Sequence, residues 1–316
     1  MQTLGVIGGS GLYDLPGLAK VREVRLKTPF GEPSDAFIVG ELGEVKLVFL
    51  PRHGRGHRVM PTEINSRANF WGFKKLGCER VISFSAVGSM REDVAPGHMV
   101  VVDQFIDRTH KRERTFFGEG IVGHVQFADP ICHELADVLY ACAKDVGATV
   151  HRGGTYLCIE GPQFSTRAES KLYRSWGVDV IGMTNATEAR LAREAELCYS
   201  TVALSTDYDC WHEAEEDVTV EAVVAVMKAN VKTAQAIVAK AAERLTKART
   251  CHCGCAAQNA VMTAPSAVPL ATWKKLELLV GKYLPKPKAA AKAKAKTKGP
   301  PATKRRVSDS RKRGSR

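Results

Sequence analysis

Apolar residues along the chain fall into short, nearly continuous runs separated by segments of helical periodicity. The runs "LGVIGG" (4–9), "VKLVFLP" (45–51), "RVISFSA" (80–86), "MVVVDQF" (99–105), "TYLCIEG" (155–161), "DVIGMT" (179–184) and "CYSTVALST" (198–206) predict strands. Val, Ile and Leu follow one another there without alternation, as in strands covered on both faces. Amphipathic segments near 131–146, 167–176 and 187–196 predict helices between them, and 218–245 places Val220, Val223, Val224, Met227 and Val231 at helical spacing. Strands alternating with helices predict an α/β fold, a single domain with a central mixed, largely parallel β-sheet flanked by helices.

The texture changes near residue 250. The expected organisation is a main domain over 1–250, a Cys-containing segment with a short helix (Thr272 to Tyr283) packed on it over 251–284, and a Lys/Arg-rich tail over 285–316. Val307 is the tail's only large aliphatic residue and it has no aromatic, so disorder is expected there. Charge divides at the same boundary. The chain of 316 residues has a net charge of +12, and 285–316 alone holds eight Lys and five Arg against one Asp. The remainder is neutral and gives no sign of a nucleic-acid-binding surface. No apolar run reaches the roughly 18 residues of a membrane span, and the N-terminus does not read as a secretory signal. A cytoplasmic chain is expected, with its nine cysteines mostly reduced.

Open α/β sheets bind ligands beyond the carboxyl ends of their strands. The first strand runs into "GGSG" (8–11), whose amides and Ser10 suit an anion. "PRHGRGH" (51–57) sets Arg52 beside His53 in a Gly-rich turn, a cation and an imidazole donor for phosphate. "SAVGS" (85–89) offers the Ser85 hydroxyl and the Ala86 backbone. In "EGPQFSTRAES" (160–170), Glu160 and Phe164 could bracket a flat ring while Ser165 and Thr166 could cap a helix. "GMTNATEA" (182–189) adds the Met183 platform, the Thr184 hydroxyl and an expected N-cap at Thr187. The last strand enters "STDYDCW", where Asp207 and Asp209, two apart, would share one face beside Tyr208 and Trp211. No metal-ligand spacing accompanies these residues, and no Gly-x-Ser-x-Gly elbow or Cys/His pair marks a covalent nucleophile. An attacking phosphate beside a departing aromatic base fits the parts, which points to phosphorolysis.

The ordered set "GVIGGSGLYDL", "TPFGEPSD", "RHGRGHRVMPTEINSRAN", "SAVGSMREDVAPG", "DQFIDRT", "IEGPQFSTRAES" and "STDYDCW" resembles the trimeric branch of the purine nucleoside phosphorylase family, and within it the methylthioadenosine phosphorylases. The likeness spans residues 3–245, and the segment with Cys251, Cys253 and Cys255 resembles the C-terminal part of some bacterial and archaeal members. The resemblance does not extend to the tail. The resemblance implies a pentosyltransferase that phosphorolyses S-methyl-5′-thioadenosine to adenine and 5-methylthioribose 1-phosphate, in purine and methionine salvage. It implies no cofactor, inorganic phosphate being a co-substrate, and a homotrimer or a hexamer with active sites at subunit interfaces. Carried over by position, phosphate meets Ser10, Arg52, His53, Ser85, Ala86 and Thr184. Phe164 and Ser165 lie at the purine, Met183 against the ribose, and Val220, Val223 and Val224 around the methylthio group. His124 would be lent to the 5′ end by a neighbouring subunit. Asp207 would face N7 and the exocyclic amine and protonate the leaving base, with Asp209 raising its pKa by like-charge repulsion. Thr187 stands where related sequences commonly have Pro, a change a helix start accommodates.

Two other readings remain at this point. A 6-oxopurine nucleoside or methylthioinosine phosphorylase would share the fold, but a carboxylate facing O6 would repel the substrate. The tail could bind polyanions by phosphate charge alone, and "RRVSD" around Ser308 resembles a kinase site. In "CHCGC" (251–255) the Cys-x-Cys spacing is tight and no second ligand pair is evident nearby, so no metal is expected. A disulfide is the alternative, and Cys132 and Cys198 could approach one another in the fold.

Overall fold

The apolar runs form the inner strands of an 11-stranded sheet in a computed structural model that describes residues 1–9, 11–212 and 220–287. The strands are β1 (Gln2–Gly8), β2 (Ala19–Val24), β3 (Phe37–Leu42), β4 (Val45–Pro51), β5 (Arg80–Ser89), β6 (Met99–Val101), β7 (Gln104–Asp107), β8 (Val150–Arg152), β9 (Thr155–Cys158), β10 (Val180–Gly182) and β11 (Cys198–Asp207). They lie in the order β2-β3-β4-β1-β5-β10-β9-β7, while β11 pairs with β5 and β6, and β6 also with β8. The pairs β1–β4, β1–β5, β5–β11, β9–β10, β7–β9 and β6–β8 are parallel. The pairs β2–β3, β3–β4, β5–β10 and β6–β11 are antiparallel. The sheet is thus mixed and largely parallel, as its hydrophobic pattern predicts.

Helices α1 (Ser66–Lys75), α2 (His133–Asp145), α3 (Arg167–Ser175), α4 (Asn185–Glu194), α5 (Val220–Arg244) and α6 (Leu270–Val280) flank it. α1 packs with α4 and α6, α2 packs with α5, and α2, α4 and α5 each touch β11. One core joins Ile7, Phe49 and Ile82 of the sheet to Phe73, Leu139, Ile237 and Leu276 of the helices. Beyond residue 250, Cys253, Val268, Trp273 and Leu279 enter that same core. Among the described residues no helix is long and apolar enough to cross a membrane. The tail expected to be disordered lies outside the described residues from 288 onward.

Several elements differ from the pattern. The run 99–105 is two strands, because after Val101 the chain leaves the β11–β6–β8 ladder and Gln104 begins pairing with β9. β2, "AKVREV", is almost wholly exposed and therefore lacks the burial signal that marks the inner strands. α1 was missed although Asn65 caps it, its side chain accepting from Ala68 N–H at 3.1 Å. α4 begins at Asn185 with Thr184 in the N-cap position, so Thr187 is not the cap. Thr187 is instead buried inside the first turn, its hydroxyl without a partner. α3 is capped by Thr166, which exchanges hydrogen bonds with Glu169, and not by Ser165.

The expectation that no second ligand pair lies near Cys251 and Cys253 needs correction, whereas the expected reduced thiols are found. All nine cysteines are free thiols. Cys132, at the N-cap of α2, and Cys198, the first residue of β11, bring their sulfurs to Cys251 and Cys253, and the four Sγ atoms lie within 4.8 Å of one another. Sequence distance hid this second pair, since more than a hundred residues separate Cys132 from Cys251.

Gly182 ends β10 where no side chain fits, because a Cβ there would fall 2.0 Å from the hydroxyl of buried Tyr156. Gly182→Ala is expected to lower unfolding free energy by about 1–3 kcal/mol in urea titrations. A variant as stable as the parent would show that Tyr156 can move aside.

Candidate active site

β5 carries one wall of a cavity of about 520 Å³, contributing Phe84, Ser85, Ala86, Val87 and Gly88 in sequence. Its parallel register with β11 sets Asp207 opposite Gly88, after a bulge between Ser205 and Asp207. Arg52, just beyond β4, donates from Nη1 to the Phe84 carbonyl at 2.9 Å. Phe84 and Gly88 are four residues apart, or about 13 Å along a strand. The cationic end of the cavity is thus anchored at Phe84 and the acidic end at Gly88.

At the cationic end Arg52 is buried and charge-matched. Nε and Nη2 donate to the two carboxylate oxygens of Glu188 at 2.5 and 3.2 Å, and Nη2 also donates to Ser83 Oγ at 2.6 Å. Glu188, buried in α4, further accepts from Ser83 Oγ at 3.0 Å and Tyr199 Oη at 2.7 Å. A guanidinium has five N–H donors, and these contacts with Phe84 occupy four of them, leaving one on Nη1. Arg52 is therefore one half of an ion pair and not the bare cation the sequence suggests.

His53 differs too. Its Nδ1 lies 2.8 Å from the Val59 carbonyl, and its ring stacks on His57 with centroids 4.4 Å apart. Burial, with Arg52 acting the same way, pushes its pKa down to about 4. The neutral ring must place its proton on Nδ1, toward the carbonyl, so Nε2 is an acceptor and not the expected donor. Ser85, Ala86 and Thr184 also line this end, Thr184 at the α4 N-terminus, where the helix dipole favours negative charge.

The acidic end departs from simple strand alternation. β11 stops at Asp207, and Asp209 adopts a left-handed φ of 53° at the start of a short 3-10 turn. The reversal lets Asp209 N–H donate to Asp207 Oδ1 at 2.8 Å, while Thr206 Oγ1 donates to Asp207 Oδ2 at 2.6 Å. Asp209 receives the Ser170 hydroxyl. Burial drives Asp209 up to about 6, opposed by the Ser170 hydrogen bond and assisted by the Asp207 charge. Gly88 makes room for both acids, since a Cβ there would lie 3.0 Å from Asp207 Oδ1 and 3.2 Å from Asp209 Cβ.

The cavity brings together Arg52, His53, Ser85, Ala86, Phe164, Ser165, Met183, Thr184, Asp207 and Asp209. The Ser165 hydroxyl, freed from capping, is buried without a partner. Glu160 does not join them: it accepts from the backbone N–H groups of His110 and Lys111 at 2.6 and 3.1 Å and from Arg112 at 3.2 Å. His124 is exposed and does not line this chain's cavity, its N–H donating to the Ala260 carbonyl at 2.8 Å. Ser10 and the side chains of Val220, Val223 and Val224 lie outside the described residues. Sequence reasoning missed the lining residues Leu12, Met60, Pro61 and Ala234. Ala234 sits three residues after Val231, on the helical stripe already recognised, and could have been found there. The buried partners Ser83, Glu188 and Tyr199 carried no sequence signal, because their contacts cross three separate elements.

Residues 3–243 match the sequence profile of the phosphorylase superfamily, and the chain belongs to that family. It is 59% identical to the S-methyl-5′-thioadenosine phosphorylase of Geobacter sulfurreducens over 90% of this chain and 99% of the relative. A methylthioadenosine phosphorylase from an antarctic soil metagenomic library superposes with a TM-score of 0.84 at 44% identity, covering 88% of this chain and 98% of the other. The Schistosoma mansoni methylthioadenosine phosphorylase in complex with adenine gives 0.74 at 37% identity, covering 78% and 93%.

Two outcomes follow from the buried charges. Glu188→Gln strands the Arg52 guanidinium without a counter-ion and is expected to lower stability by about 3 kcal/mol or more in urea unfolding. A loss below about 1 kcal/mol would mean that Arg52 is balanced elsewhere. Asp209 binds its proton more tightly folded than unfolded, so its contribution to stability is fully present below about pH 4 and lost as pH rises through about 6. Asp209→Asn is therefore expected to stabilise the protein at pH 7.5 by roughly 2–3 kcal/mol, with the gain vanishing near pH 4. Melting curves at the two pH values decide it, and an equal effect at both would refute the shift.

Proposed function

We infer that the chain phosphorolyses S-methyl-5′-thioadenosine to adenine and 5-methylthioribose 1-phosphate. One observation carries the reading: a single cavity joins Arg52, Ser85 and Thr184 at one end to a pair of carboxylates at the other, with anchor points on β5 four residues, or about 13 Å, apart. That span suits a phosphate and a purine on opposite sides of a ribose. The methylthioadenosine phosphorylases to which the chain is similar act on this substrate by their names.

Cleavage of the glycosidic bond builds positive charge on the ribose and negative charge on the departing base. Asp207, aligned by Thr206 and by the Asp209 amide, accepts from the exocyclic amine of adenine. Asp209 is the proton store for N7, since its pKa near 6 lets it hold a proton close to neutrality. The family resemblance implies Asp207 as that store; the burial-driven shift of Asp209 supports an exchange of roles. Phosphate lies against Arg52, Ser85, Thr184 and the α4 N-terminus, and its oxygen attacks C1′. The Nε2 lone pair of His53 accepts from the phosphate's own hydroxyl, which orients the attacking oxygens. Phe164 covers the base and Met183 the ribose. Leu12, Val231 and Ala234 give apolar lining suited to a methylthio group, which discriminates only modestly against a hydroxyl.

No cofactor is needed for this chemistry, phosphate being the second substrate. The same reading includes a cytoplasmic setting and a homotrimer in which a neighbouring copy's surface completes the 5′ end; exposed His124 supports this as a residue available to another subunit. Adenine release from methylthioadenosine is expected only with phosphate, and Asp207→Asn should reduce kcat/KM for it by a factor of about 100 or more. Coupled xanthine oxidase assays measure it, with methylthioinosine as the comparison substrate. Faster turnover of methylthioinosine by the parent enzyme would reject the adenine reading.

A further inference from the structure

We propose that Cys132, Cys198, Cys251 and Cys253 form a closed structural zinc site, separate from the substrate cavity. Four thiolates around a tetrahedral zinc, each about 2.3 Å from the metal, stand about 3.8 Å from one another. Here Cys132 and Cys251 Sγ are 3.7 Å apart, Cys198 and Cys251 Sγ are 3.3 Å apart, and all four lie within 4.8 Å. The contacts do not divide into two pairs, because Cys251 approaches Cys132 and Cys198 together. A cluster converging on one centre is the arrangement of a metal site, whereas two disulfides would need two separate close pairs.

The surroundings fit a tetrathiolate, which carries two net negative charges on zinc. Arg249 Nη1 lies 3.8 Å from Cys198 Sγ and Arg193 Nη1 lies 4.0 Å from Cys253 Sγ, so two guanidiniums face the sulfurs. Cys132, Cys198 and Cys253 are buried, and the partly exposed Cys251 gives the entry path. With four protein ligands and no open position, the site is structural and not catalytic. Cys255, exposed and donating to the His252 carbonyl at 3.2 Å, stays outside it.

The ligands come from three places: the head of α2, the first residue of β11, and the turn that opens the C-terminal segment. Zinc would therefore fasten that segment to the end of β11 opposite Asp207. Binding releases the thiol protons to solvent, so affinity should weaken as pH falls.

The test is elemental analysis of the full chain purified under reducing conditions from zinc-supplemented medium, alongside cobalt exchange. The expected result is about one zinc per chain, and cobalt-exchanged protein with thiolate charge-transfer absorption and intense tetrahedral bands. Cys251→Ser and Cys253→Ser should each lower bound zinc at least tenfold after dialysis against a chelator, while Cys255→Ser should retain it. Should the first two variants fail to fold, the parent protein decides alone. Metal-free parent that takes up neither zinc nor cobalt overturns the proposal. So does an intact mass lower by four hydrogens, which would report two disulfides, or iron in place of zinc.

Discussion

The parallel pairing of β5 with β11 holds the whole arrangement in register. It runs from Arg80 opposite Cys198 to Gly88 opposite Asp207, nearly the full length of both strands. Each strand is otherwise secured differently: β5 passes from β1 at its start to β10 at its end, and β11 is closed on its far side by β6. A slip of one residue would turn every side chain to the opposite face. Asp207 would leave the cavity, and Ser83 would lose Arg52 and Glu188. The bulge between Ser205 and Asp207 sets Asp207 opposite Gly88, and the left-handed turn at Asp209 then brings its amide onto the Asp207 carboxylate.

Electrostatic balance explains why this cavity can accept both a doubly charged phosphate and a neutral nucleoside. At one end Arg52 is neutralised by Glu188, and His53 is neutral because burial and the adjacent guanidinium disfavour its charged form. In the proposed reaction that end would hold phosphate through a residual donor, hydroxyls and a helix terminus, not through net charge. The arrangement is rigid in advance, since the buried ion pair fixes Arg52 on both sides, so little reorganisation accompanies charge development. The opposite end behaves in the reverse manner. There burial raises Asp209 to about 6, so that one of two adjacent carboxyls can hold a proton.

What could be read from sequence follows burial and chain locality. Inner strands such as β4 and β5 are continuous apolar runs, so their presence and the mostly parallel sheet were legible. β2 was not, because its exposed edge carries charges where the rule seeks Val and Ile. Arg52 and His53 were visible as anion-binding residue types, but their charge states were not. Glu188 and the Val59 carbonyl, which determine those states, reach them only through folding. The α4 start lies three residues before the Thr187 that the sequence suggests, because Thr184 and Thr187 are the same cap-forming residue type, and of the two only buried Thr184 lines the cavity. Cys132 and Cys198 met Cys251 for a similar reason, across elements far apart in the chain.

Asp209 shows what the site costs. A left-handed φ is tolerated by Asp better than by most residues, yet it remains unfavourable beside glycine. Burial of the carboxyl next to another acid adds an electrostatic cost of the same sign. Gly at that position would relieve both the strain and the charge, and Asn would remove the charge. In the proposed mechanism both features would serve one end: the turn aims the Asp209 amide at Asp207, and burial raises the pKa of Asp209 so that it would hold a proton. On that mechanism the strain and the raised pKa would be one device, set beside the buried cluster of Tyr173, Ile181 and Trp211.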